Sequence, residues 1–166
     1  LNAVRALGGS SDANAIQYLI QALGDTDVRV QAKALSMLAD MRATEATPVL
    51  IQHLFLRTTS GKMKQRILAA LGKIGDTRAV RPLIEFLQRD LDVTTRGTAI
   101  FALGDMGTSE AIGPLTQIAD TTTHPTIRRL ANEALNKVRN HQADLQRNAK
   151  EASDTFLAPQ FPAPPQ

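Results

Sequence analysis

The sequence predicts an all-α fold, a solenoid of about four stacked helix pairs closed by a terminal helix. Three observations predict it. A self-similar unit recurs along most of the chain. Its marker is a Leu before a corner, at Leu7, Leu38, Leu71, Leu103 and, more weakly, Leu135, with spacings of 31, 33, 32 and 32 residues. Within each unit apolar residues recur at helical intervals, and no period-2 alternation of useful length appears. Aromatics are 4% of the 166 residues and Trp is absent, so Ala, Leu, Ile and Val must fill the core of closely stacked helices.

Each unit reads as two helices. Val30, Ala34, Leu35 and Leu38 mark the apolar face of one first helix. Eleven residues before the anchors stand Asp27, Ser60 and Asp92, whose side chains can accept from the unpaired amides of a first turn. His124 stands there in the fifth unit, followed by Pro125, which suits the first helical position. Five residues after the anchors, Asp12, Asp76 and Thr108 are placed to cap the second helices, and Thr44 is expected to stand in for Ala43. Ile16 with Leu19 and Ile20, Leu50 with Ile51, Leu83 with Ile84, and Ile112 with Leu115 supply their apolar faces. Pro82 and Pro114 recur at one position, which points to a first turn or a tolerated kink.

The corners invite a second interpretation. "GKIGD" (72–76) resembles a G-x-x-G loop that could hold a phosphate. Its siblings argue otherwise. Gly8, Ala39, Gly72 and Gly104 share one position, which needs only a small side chain. Gly75 and Gly107 share another and fit the left-handed residue that ends a helix. Ser11 and Arg42 replace them and must find another turn or bear strain.

"VRVQAKALSMLADM", "LAALGKIGDTRAVRPLIEFL" and "FALGDMGTSEAIGPL" resemble HEAT repeats, most closely the short type of phycobilin lyases and many bacterial proteins. The resemblance covers residues 1–139. It implies a right-handed superhelix, second helices on the concave side, and a role in holding protein partners. It also implies Asp and Arg side chains that bridge neighbouring repeats, as Asp25, Asp27 and Arg29 would. Lys62, Thr94 and Thr126 stand where Arg29 does in later units, which breaks such a ladder.

After the repeats, residues 140–153 are polar and expected to be helical. Residues 154–166 carry Pro159, Pro162, Pro164 and Pro165, a composition that favours extended chain. A flexible end accounts for that tail, yet Phe156, Leu157 and Phe161 form an apolar cluster that a purely solvated tail does not need. Docking on its own solenoid or on a neighbouring subunit would use it. The chain opens at Leu1 in what reads as a helix, so a processed or truncated product is expected. The cytoplasm is favoured, and the missing start leaves export and membrane association open. No apolar run approaches the ~18 residues of a spanning helix.

Chemistry-bearing patterns are scarce. No cysteine is present, and His53, His124 and His141 form no metal-binding spacing, so neither metal nor cofactor is expected. No nucleophile elbow or Walker loop appears, so no catalytic residue is assigned. Asp25 with Asp27, and Asp90 with Asp92, recur in equivalent loops, which argues for capping rather than acid–base work. The net charge of +3 comes from 19 basic and 16 acidic residues, too mixed for a strong nucleic-acid footprint. Lys64, Arg66, Arg96, Arg128 and Arg129 could still form a basic stripe along the first helices, which keeps a nucleic-acid binder as an alternative. A chromophore-handling lyase is the other, on family resemblance alone. The preferred reading is a non-enzymatic scaffold or complex subunit. Its contact candidates are Tyr18, Gln52, Arg81, Glu85 and Gln117 on the second helices, with Phe156, Leu157 and Phe161 in the tail.

Overall fold

The computed structural model describes residues 13–157. Those residues form eight α-helices and no strand. They are α1 (Ala13–Ala22), α2 (Val28–Asp40), α3 (Thr47–Phe55), α4 (Gly61–Ile74), α5 (Val80–Phe86), α6 (Val93–Met106), α7 (Ile112–Thr121) and α8 (Pro125–Leu157). The first helix of the first unit, its corner from Leu7 to Asp12 and residues 158–166 lie outside the described residues.

Capping sets where the helices start. Asp27 accepts from the Arg29 amide at 2.8 Å, Ser60 from that of Met63 at 3.2 Å, and Asp92 from that of Thr95 at 2.7 Å. Asp25 accepts from the Asp27 amide at 2.7 Å, so both carboxylates of that pair are used by the loop. The second helices differ in one respect from the expectation. α3, α5 and α7 each follow a 3-10 turn, at Thr44–Ala46, Thr77–Ala79 and Ser109–Ala111. Asp76 caps its turn through the Arg78 amide at 3.0 Å. Thr44 does not replace Ala43 as a cap, and the Thr108 side chain makes no cap bond. Pro82 and Pro114 occupy the third residue of α5 and α7, within the first turn, where the lost N–H has no intrahelical partner to leave.

The anchors Leu38, Leu71, Leu103 and Leu135 are buried, with Leu19, Leu50, Leu54, Leu68, Leu83, Phe86, Ile100, Leu115 and Ile127 in one continuous core. Burying each such side chain stabilises by about 1.5–3 kcal/mol. The first helices α2, α4, α6 and α8 stack in sequence, and α3, α5 and α7 pack against the first helix of the following unit. Close stacking explains the small-residue position. A Cβ on Gly72 would lie 3.1 Å from the Ala102 Cα, and one on Gly104 would lie 2.9 Å from the Ala134 Cα. Gly75 and Gly107 end their helices at φ 71° and 67°, and Arg42 takes the equivalent corner at φ 49°. The G-x-x-G loop is thus a helix–helix corner.

Candidate functional site

Packing the apolar faces of the second helices inward leaves their polar faces in solvent. Gln21, Gln52, Glu85 and Gln117 each stand 14 residues after an anchor and are all exposed. Equivalent positions in stacked units align these side chains along the stack. Three are amides, each able to donate and accept, and one is a carboxylate. Tyr18, on α1, is 58% exposed. Arg81 is exposed but paired, its Nε donating to Glu110 of the next unit at 3.1 Å. The five second-helix candidates therefore share one layer, with Arg81 already engaged across a repeat boundary. Phe156 is 85% exposed near the end of α8. The Leu157 side chain and Phe161 lie outside what the structure describes.

Near the carboxyl ends of α3 and α5 the rings of Phe55 and Phe86 meet edge to face at 5.8 Å, and the Arg89 guanidinium sits 4.6 Å from the Phe55 centroid. His53 lies in the last turn of α3, where its carbonyl accepts from the Thr59 hydroxyl at 2.6 Å.

Several arginines of the first helices bond within the fold. Arg96 donates to the carbonyls of Leu87 and Arg89 at 3.1 and 3.0 Å. Arg128, one unit on, donates to those of Ala119 and Thr122 at 3.3 and 2.6 Å. Both tie down the chain where the preceding second helix ends, Arg128 at the last turn and C-cap of α7 and Arg96 at the C-cap of α5 and just beyond it. Gln31 plays the same part on the Asp25 carbonyl. Arg129 pairs with Glu133 at 2.8 Å. Three of the five residues of the expected basic stripe are therefore committed to protein acceptors.

Bridging between repeats follows a different pattern from the expected one. Arg29 pairs with its own Asp27 at 2.9 Å, not with a neighbour. Besides Arg81 to Glu110, bridges run from Lys73 to Asp40 and from Lys137 to Asp105, the latter at 3.0 Å, and from Arg78 to the Thr44 carbonyl at 2.9 Å. Asp40, Lys73, Asp105 and Lys137 all stand two residues after an anchor. Their alternating sign was visible in the aligned units, and sequence reasoning overlooked it. Lys137 also covers the half-exposed Phe101 ring at 3.8 Å.

Asp27, Asp40, Asp76 and Asp92 have lowered pKa values. Hydrogen bonds from Arg78 hold Asp76 below its usual 3.8, a Lys73 bond does so for Asp40, Arg29 for Asp27, and Thr95 for Asp92. All are structural pairs. Among the described residues no three His, Asp or Glu side chains gather as metal ligands, and no helix is long and apolar enough to cross a membrane.

A family model described as HEAT repeats matches residues 1–55 and 47–136. No curated protein matches the chain.

Proposed function

The chain belongs to the HEAT-repeat family, and from that premise we propose that it is a non-enzymatic scaffold or assembly subunit that holds a protein partner. The observation that carries this reading is the exposed row of Gln21, Gln52, Glu85 and Gln117. Such a row offers hydrogen bonds to a peptide backbone with little charge to attract phosphate. We take the superhelix to be right-handed with these second helices on its concave side, as in the short bacterial type. Tyr18 adds a broad ring with a polar tip at one end of the row, a residue type favoured in protein contacts. The units we distinguish are a repeat domain at 1–139, a helical extension at 140–153 and a Pro-rich tail at 154–166, with α8 running on into the tail as far as Leu157 rather than giving way to extended chain at 154.

Crosslinking pull-down from the native source tests the reading. The combined Gln52→Ala, Glu85→Ala and Gln117→Ala variant should lose the partner that the parent chain captures. A Ser36→Glu variant on the first-helix layer should keep it. Loss on removal of residues 158–166 alone would move the contact to the tail. A salt-sensitive shift with duplex DNA would replace the scaffold reading with the nucleic-acid one.

A further inference from the structure

α8 runs well past the solenoid it closes. Ile127, Ala131, Ala134, Leu135 and Val138 are buried against the stack, and Gln142 donates to the Gly107 carbonyl at 2.7 Å. From residue 143 to 156 every residue is exposed. At about 1.5 Å per residue this arm projects roughly 20 Å. Its apolar stripe does not stop where the packing stops. Leu145, Ala149, Ala152 and Phe156 follow at helical spacing and fall within roughly 60° of one another around the axis. Arg147, Lys150, Glu151 and Asp154 lie on the opposite side. Leu145 is 49% exposed and Phe156 85%.

We propose that this arm is a self-association element, and that its apolar stripe is covered by the same stripe of a second copy, antiparallel to it. The first argument is the symmetry of the stripe. Its intervals are four, three and four residues, identical read in either direction. A two-fold axis between Lys150 and Glu151 sets Leu145 against Phe156 of the second copy, and Ala149 against Ala152. Large side chains then meet at the ends and small ones at the centre, which lets the axes approach closely. Gln146, Asn148, Ser153 and Thr155 flank the stripe, so no like charges meet at its edges. The second argument is charge along the arm. Asp144, Arg147 and Lys150 give its first part a net positive charge, and Glu151 with Asp154 make the rest negative. These charges face away from the stripe and act only through the net field of each part: antiparallel pairing sets the basic part of one arm level with the acidic part of the other and opposes the helix dipoles, whereas parallel pairing sets like on like. The third is continuity, since the stripe prolongs the face that α8 already buries. An arm of this length buries less than a standard stable interface, so the dimer is reversible.

Sedimentation equilibrium of the full chain from about 1 µM to about 1 mM tests this, a range that brackets weak association. The mass should rise with concentration toward twice 17.9 kDa. The Ala149→Glu/Ala152→Glu and Ala149→Lys/Ala152→Lys variants should each remain monomeric with unchanged helical circular dichroism. Mixing them should restore the dimer, because each Glu then faces a Lys. Since the chain has no cysteine, Gln146→Cys and Thr155→Cys chains can report orientation. A short bis-maleimide should join one to the other in preference to either with itself. A chain monomeric at every concentration overturns the proposal, as does a dimer that survives Ala149→Glu/Ala152→Glu. Amide protection of residues 145–156 in a monomer, lost on removing residues 158–166, would overturn it in favour of the chain's own tail.

Discussion

At the corner after α2, Arg42 holds φ 49° where Gly75 and Gly107 hold 71° and 67° in the following units. A side chain in that region costs about 1–2 kcal/mol, since Cβ crowds the next carbonyl. Arg42→Gly should therefore raise stability by about 1 kcal/mol, less what glycine gains in unfolded-chain entropy. Gly75→Ala should lower it by a similar amount through backbone strain alone, because nothing lies within 4 Å of its added Cβ. Urea denaturation of both variants measures this, and equal signs would refute it. The requirement for a left-handed residue was legible in the recurring glycines. That Arg42 bears strain instead of adopting another turn was not, because packing of the flanking helices decides it. Asp76 sets a second residue-scale effect. Its side chain is 8% exposed and its pKa is lowered from 3.8, chiefly by bonds from Arg78. A lowered folded value means that the carboxylate stabilises above the unfolded pKa and loses this effect as pH falls through the folded one. Stability of the parent chain should thus drop below about pH 3.8, and Asp76→Asn should flatten that drop. Asp76→Ala should cost about 0.5–2 kcal/mol at neutral pH through the lost cap.

Among elements, stacking of the first helices is the tightest constraint. Gly104 meets the Ala134 backbone, and a Cβ there would come within 2.9 Å of the Ala134 Cα, closer than carbon atoms approach. Relief requires α6 and α8 to separate, which opens the layer that buries Leu103 and Leu135. Gly104→Val should cost several kcal/mol, at or above the ~1–3 kcal/mol typical of overpacking. Gly113→Ala, in α7 with nothing within 4 Å, should be neutral or slightly stabilising. Thermal unfolding of the two separates a packing effect from a general loss of glycine. The element order, anchors and small-residue positions were all readable because each unit repeats the same physical solution. The 3-10 entry to α3, α5 and α7 was not, because a cap residue marks where a turn starts without stating its pitch. Nor could the sequence show how far α8 packs, since the helical spacing of its apolar positions continues, more thinly, across the edge of the solenoid.

For the whole molecule, the question is which face is left for a partner. The sequence offered two, a basic stripe on the first helices and a Gln-rich face on the second. The mixed charge favoured the second, but composition could not say what each arginine bonds, since an arginine looks the same whether it meets phosphate or a carbonyl. Arg96 and Arg128 meet carbonyls, each tying down the chain where the preceding second helix ends. Removing such a donor leaves acceptors less well satisfied and loses hydrogen bonds to a charged group, at about 1.5–3 kcal/mol when shielded and less where water replaces it. We therefore expect Arg96→Ala and Arg128→Ala to lower the melting temperature. Gln52→Ala and Gln117→Ala, on exposed positions with a strong helix former introduced, should leave it unchanged. The two sets should also divide by function. Arginine variants that still fold should retain partner capture, and Gln variants should lose it without losing stability. Arginine variants of unchanged stability that abolish a salt-dependent DNA interaction would reverse the assignment of the two faces. The Gln side chains are the test of the scaffold reading because nothing in the fold requires them where they stand.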